Sequence, residues 1–179
     1  MEDRVRGEYL RDCLETFRRY RAMADAALAR LDDREFFASL DTESNSPAVL
    51  VKHMAGNLRS RWTDLLTSDG EKPDRDRDTE FEIGGSDVRA ALMDAWADGW
   101  ERVFRTLESL TAADLERTVH IRGEPHSLTQ ALNRQMTHAA YHVGQIVLLA
   151  KHHRAGEWES LSIPRGRSRQ FNLEASRRR

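Results

Sequence analysis

Three histidines define the chemistry this sequence can support. His138 and His142 lie four residues apart in NRQMTHAAYHVGQI, residues 133–146, which has no proline and no glycine before Gly144. A helix advances about 100° per residue, so side chains four apart sit about 40° from each other and can reach one point. With His138 as zero, Leu128, Leu132, Ala139, Val143 and Ile146 spread from roughly 80° to 140°, so both imidazoles flank the apolar arc. His53 stands in the same relation to Leu50, Met54, Leu58 and Leu65, with Asn57 about 40° from it. Three neutral imidazoles on two neighbouring helices, with coordination positions left open, would make a catalytic rather than a structural metal site. Imidazole nitrogen favours zinc, nickel, iron or copper over magnesium and calcium. Each histidine also has an ordinary explanation, since a lone histidine at a helix edge is commonly a hydrogen-bonded interior residue. Ala139, Ala140 and Tyr141 separate the pair, so the glutamate base of an HExxH protease is missing.

Asn57, Arg61, Tyr141 and Gln145 are the polar groups placed around these histidines. They are candidates to orient an anionic substrate or to hydrogen-bond the ligand rings. Arg61 could equally pair with an acid of the following loop, such as Asp78 or Glu80. A structural metal site would be closed by a fourth protein ligand, for which Asp78, Glu80, Glu124 and His126 are candidates. His120 and His126 are either ordinary loop groups or an acid–base pair approaching from outside. His152 and His153 end a helix, where positive charge suits the dipole. Trp62, Trp96 and Trp100 at helical spacing read as core. The only cysteine, Cys13, reads as a small buried residue and allows no intrachain disulfide. The four aspartates of DGEKPDRDRD alternate with basic residues and lack the spacing of a calcium loop.

Residues 2–31 hold one glycine, no proline and a helical stripe of Val5, Tyr9, Leu10, Leu14, Phe17, Ala24, Leu28 and Leu31. Residues 33–45 lose that pattern and read as a connection. Ser46 and Pro47 predict the start of a second helix running to about Leu66. Residues 67–85 form a long loop, an unusual length between helices and one suited to shaping a site. Ser86 is the predicted cap of a third helix, whose face is Val88, Leu92, Ala95, Trp96, Trp100, Val103, Leu107 and Leu110. The stretch LERTVHIRGEPHS alternates and is then broken by Gly123 and Pro125, so residues 115–127 read as a short extended or hairpin-like piece. Ser127 caps a fourth helix ending near His153, and residues 158–171 read as irregular. The expected fold is all-α, a four-helix bundle in one domain of residues 1–172, followed by a basic tail of residues 173–179.

The chain of 179 residues carries 28 basic and 30 acidic side chains, a balance that gives no argument for nucleic acid. Basic residues do collect at the C-terminus, where a solvated tail is the simple reading and an anion-binding tail the alternative. The charged N-terminus has no apolar signal core, and the longest apolar run, residues 146–150, is far short of the roughly 20 residues of a membrane helix. A cytoplasmic protein without membrane contact is the expectation.

THAAYHVGQI, VKHMAGN with RW following, and LSIPRGRS resemble the DinB/YfiT-like superfamily, and within it a branch known as a domain of unknown function. The resemblance covers residues 8–172. It implies an up-down-down-up four-helix bundle in which one histidine of the second helix and two of the last long helix hold a divalent metal. Residue by residue those are His53, His138 and His142. It further implies thiol-dependent transferase or isomerase chemistry with a low-molecular-weight thiol, and a homodimer. The expected function is therefore metal-dependent chemistry on a small molecule, as a thiol-dependent transferase or a related hydrolase or isomerase. The alternative is a non-enzymatic dimer whose metal is structural or vestigial.

Overall fold

The computed structural model describes residues 2–177, and they are mostly helical. Helix α1 spans Glu2–Leu28, α2 Asp33–Phe37, α3 Pro47–Trp62, α4 Arg89–Ser109, α5 Leu128–His153 and α6 Ser168–Ser176. Strands β1 (Thr118–Ile121) and β2 (Glu124–Ser127) form an antiparallel hairpin in which Val119 faces His126 and Ile121 faces Glu124. No described helix is long and apolar enough to cross a membrane.

Helix starts follow local chemistry. Ser46 accepts a hydrogen bond from the Val49 amide, and Pro47 fills the first turn, where its missing N–H leaves nothing unpaired. Ser127 and Gln130 form a reciprocal capping box at the start of α5, just where the hairpin ends. The second helix stops at Trp62 rather than Leu66. Thr63 turns extended and donates its hydroxyl to the Arg59 carbonyl, and Asp64 takes a positive φ of 49°. The third helix is capped at Val88, without a side-chain bond, and not at Ser86. Asp87 is the local organiser instead, accepting from the Gly84 amide and from Lys52. Two helices escaped the sequence reading. Asp32 and Glu35 box in the short α2, and α6 occupies part of the stretch read as irregular and as tail. None of the residues of α6 is buried, and Arg178 and Arg179 of the expected tail lie outside the described residues, as does Met1.

Helix α3 packs against α4 and α5, and α1 packs against α5 and α4. Their shared core holds Phe17, Leu28, Leu50, Met54, Leu58, Trp96, Trp100, Leu128, Leu132 and Ile146, all fully buried. Trp62 and Trp100 both meet Phe17 edge-on, at centroid distances of 5.7 and 6.2 Å. The Trp96 indole donates to Asp25 at 2.8 Å, which satisfies a polar group that burial would otherwise penalise. Val5, Val88 and Ala95, assigned to apolar faces by spacing, are exposed because they lie at or beyond the margins of the packed stripes. Cys13 is buried, as expected.

Gly99 lies where α4 approaches α3 closely. A Cβ there would stand 3.1 Å from Leu58 Cβ and 3.3 Å from the Ala55 carbonyl oxygen. Replacing Gly99 with Val should therefore overpack the seam and lower the unfolding free energy by about 1–3 kcal/mol, measured by urea denaturation.

Candidate metal centre

The fold brings His53 on α3 together with His138 and His142 on α5. Their donor nitrogens all lie within 4.8 Å of one another. His53 is 3% exposed and His142 5%, so both rings are removed from water. The three sit in the floor of a pocket of about 340 Å³ between α3, α5 and the loop that follows α3.

The outer nitrogens of two rings are engaged. Nδ1 of His53 donates to Oε2 of Glu80 at 2.9 Å, and Nδ1 of His142 donates to the Gln145 carboxamide oxygen at 2.9 Å. A ring that donates from Nδ1 keeps a lone pair on Nε2, so these contacts fix the tautomer and turn two lone pairs inward. Nε2 of His53 lies 3.2 Å from Nε2 of His138. Two nitrogens each about 2.0–2.1 Å from one ion at a tetrahedral angle would be about 3.3 Å apart. A hydrogen bond from His138 to His53 would also fit that one distance. It would still leave Nε2 of His142 and Nδ1 of His138 buried with no partner. Orphaned polar atoms of this kind cost about 1–3 kcal/mol each. The donor set, its neutrality and the unpaired inward nitrogen fit a divalent transition metal ion. The three histidines could hold one.

Burial, then the neighbouring imidazoles His142 and His53, push the pKa of His138 down to about 3. Burial pushes that of His142 down to about 4, against the opposing effect of Gln145. Both rings are therefore neutral at pH 7, the form a metal requires.

Glu80 is the pivot of the site. Burial raises its pKa, but hydrogen bonds from Arg75 and then His53 outweigh that and hold the carboxyl below its usual value. Arg75 grips it with two parallel bonds of 2.8 Å, Nε to Oε1 and Nη2 to Oε2. Glu80 enters this position from a 3-10 turn, Asp78–Phe81, and it fits because residue 56 is glycine. A Cβ at Gly56 would collide with the Glu80 carboxylate. The loop itself is pinned at both ends. Ser60 donates to the Gly70 carbonyl and accepts from the Lys72 amide, while Lys52 holds the Glu82 carbonyl and Asp87.

The other residues singled out by sequence divide among different roles. Asn57 lines the pocket and accepts from Gln135 at 3.0 Å. Arg61 lines it too, but its acid partner is Glu71, at 3.3 Å, and neither Asp78 nor Glu80. Burial lowers the Arg61 pKa to about 10, partly countered by Glu71. Tyr141 is 51% exposed at the rim, its ring 4.2 Å from that of His142. Gln145 sits behind His142, away from the pocket lining. Glu80 occupies the outer face of His53, and no fourth His, Cys, Asp or Glu joins the three among the described residues. His120 and His126 lie outside the pocket lining, with His126 bonded to the Glu124 carbonyl. The sequence reading missed Arg75, Arg77, Arg122, Arg134, Gln135 and Phe81, all of which line the pocket. A glycine in mid-helix three residues after His53 was the one available signal that something approaches closely there.

The fold and the site define a mostly helical protein with a buried three-histidine cluster able to take a metal ion. The chain belongs to the family described as Protein of unknown function (DUF1572), which it matches over residues 4–167. Comparison with curated proteins and with solved structures gave no match.

In the unfolded chain His138 and His142 take up protons below about 6.5, whereas the metal-free folded chain keeps them neutral down to about 3 and 4. The unfolded state thus binds more protons in that window, and stability falls as pH is lowered through it. Urea midpoints of metal-free protein should drop between pH 7 and pH 5, and by less in His138→Gln.

Proposed function

We propose that His53, His138 and His142 bind one divalent transition metal ion and that the protein is a metal-dependent enzyme acting on a small molecule in the adjoining pocket. The observation that carries this reading is the pair of outer-nitrogen hydrogen bonds, from His53 to Glu80 and from His142 to Gln145. They leave the unprotonated Nε2 atoms of both rings facing the shared cluster beside a pocket, with that of His142 unpartnered. A bound zinc, nickel or iron ion would supply Lewis acidity, lowering the pKa of a thiol or water or polarising a carbonyl oxygen.

The chain's own residues would prepare that chemistry. Glu80, held by Arg75, keeps His53 in its tautomer and fixes the ring's orientation. Gln145 does the same for His142, and Phe81, 4.6 Å from the His53 ring, covers its face. Asn57 and Gln135 present a fixed amide pair in the pocket wall, and Tyr141 offers a hydroxyl-bearing ring at the mouth. Thiol-dependent transfer is the favoured reaction class, and it rests on the resemblance to the DinB/YfiT-like superfamily. In such a transfer the thiol loses its proton, sulfur bonds to an electrophilic carbon, and the leaving group departs with its electron pair. The same resemblance, together with the mutual packing of α1, α3, α4 and α5, supports an up-down-down-up four-helix bundle as one domain, and the resemblance alone supports a homodimer. The alternative of a closed structural site would need a fourth protein ligand, and Glu80 is already committed to the outer nitrogen of His53.

Protein purified without an affinity tag should carry close to one divalent transition metal ion per chain by elemental analysis. His142→Ala should lose most of it while helical circular dichroism stays intact; full occupancy in that variant would overturn the assignment. Glu80→Gln keeps the side-chain volume but removes the carboxylate from both His53 and Arg75, so metal affinity should fall about 10–100-fold in a chelator competition assay and the urea midpoint should fall with it.

A further inference from the structure

The pocket beside the histidines is walled by five arginines, Arg61, Arg75, Arg77, Arg122 and Arg134, and its lining contains no acidic residue. Two carboxylates reach this group from behind. Glu80 is consumed by Arg75, and Glu71 is shared among Arg61, Arg75 and Arg122 at 3.1–3.3 Å. Among the described residues no carboxylate lies within ion-pair distance of Arg77 or Arg134. Arg61 is only 8% exposed, and its Nη1 is buried without a hydrogen-bond partner. A buried guanidinium left partly unpaired is expensive, and Arg61 belongs to the wall that an oxyanion entering the pocket would meet.

The backbone adds a second, independent observation. Arg122 and Gly123 form the two-residue tip of the hairpin with φ of 57° and 77°. Such a tip ordinarily carries Asn-Gly or Asp-Gly, and arginine in the left-handed region costs roughly 1–2 kcal/mol. Asp69 holds the turn from the loop side by accepting both tip amides, from Arg122 at 2.8 Å and from Gly123 at 2.7 Å. The strain places a guanidinium at the pocket wall, where asparagine would have served the turn better.

We propose that the pocket binds the oxyanion group of its substrate, a carboxylate or a phosphate, on Arg61, Arg122 and Arg134, which leaves the rest of a small anionic molecule facing the three histidines. The subsite names the substrate class for the metal-dependent reading and rests on it for that purpose, but anion binding itself needs only the arginines. Arg77, stacked 4.8 Å over the Phe81 ring, stands at the same wall as an added positive charge. The pocket volume of about 340 Å³ suits a molecule of about a dozen heavy atoms or fewer.

Calorimetric titration of the full chain with inorganic phosphate and, separately, with succinate, at constant ionic strength set by sodium chloride, tests this. Expected is one saturable site for at least one of the two anions, and whichever binds more tightly identifies the oxyanion. Affinity should fall at least tenfold in Arg134→Gln and in Arg122→Asn. The latter should at the same time raise the urea midpoint, which separates lost binding from lost folding. Arg59→Gln, outside this pocket, should bind as the wild type does. Binding retained in His142→Ala supports the subsite even where the metal assignment fails. The proposal is overturned by no saturable site for either anion, or by wild-type affinity in the Arg122→Asn, Arg134→Gln double variant.

Discussion

The buried contact between His53, Glu80 and Arg75 is the constraint around which the rest of the site is arranged. Glu80 is a carboxylate only 6% exposed, tolerated because Arg75 neutralises it with two parallel bonds and His53 donates a third. Removing Arg75 would strand that charge and removing His53 would cost it a donor, so the three side chains form a unit. That unit also decides the shape of the long connection after α3. Arg75 and Glu80 both belong to it, and they dock only if Gly56 leaves the surface of α3 bare at that point. The loop is thus folded onto the helix by the same interaction that fixes the tautomer of His53.

A second consequence follows for the electrostatics. With Glu80 turned to the outer side of His53 and Glu71 divided among three guanidinium groups, the pocket side of the loop is left cationic. Neutral imidazoles lie beneath a positively charged wall, so an anion bound at the wall would lower the cost of a cation at the histidines, and the reverse.

Much of this was legible in the sequence. The i, i+4 spacing of His138 and His142 and the edge position of His53 follow from helix geometry, and the Ser46-Pro47 and Ser127–Gln130 caps marked where α3 and α5 begin. The supporting groups were less visible. Glu80 and Arg75 sit in a loop of alternating charges, where sequence gives no register and any acid is as plausible as the next. An acid of this loop does pair with Arg61, as expected, but it is Glu71 and not the Asp78 or Glu80 given as examples. The arginine wall is drawn from α3, the loop, the hairpin tip and α5, so no local pattern reveals it. Ser86 failed as a cap because Asp87, one residue later, is claimed by Lys52 and Gly84. Helix α6 was missed because it buries nothing, and a helix without an apolar stripe leaves no periodic trace.

The donor at position 53 comes from the first third of the polypeptide and the pair at 138 and 142 from the last, with α4 and the hairpin between them. None of the intervening elements can assemble the cluster alone, and a growing chain emerging from the ribosome lacks two of its imidazoles until α5 is largely made. Closure of the centre is thus among the last contacts available to the newborn protein, and a long loop must be ordered before it rewards the chain. Whatever occupies the centre can act as a clasp on the completed molecule but cannot template its early steps.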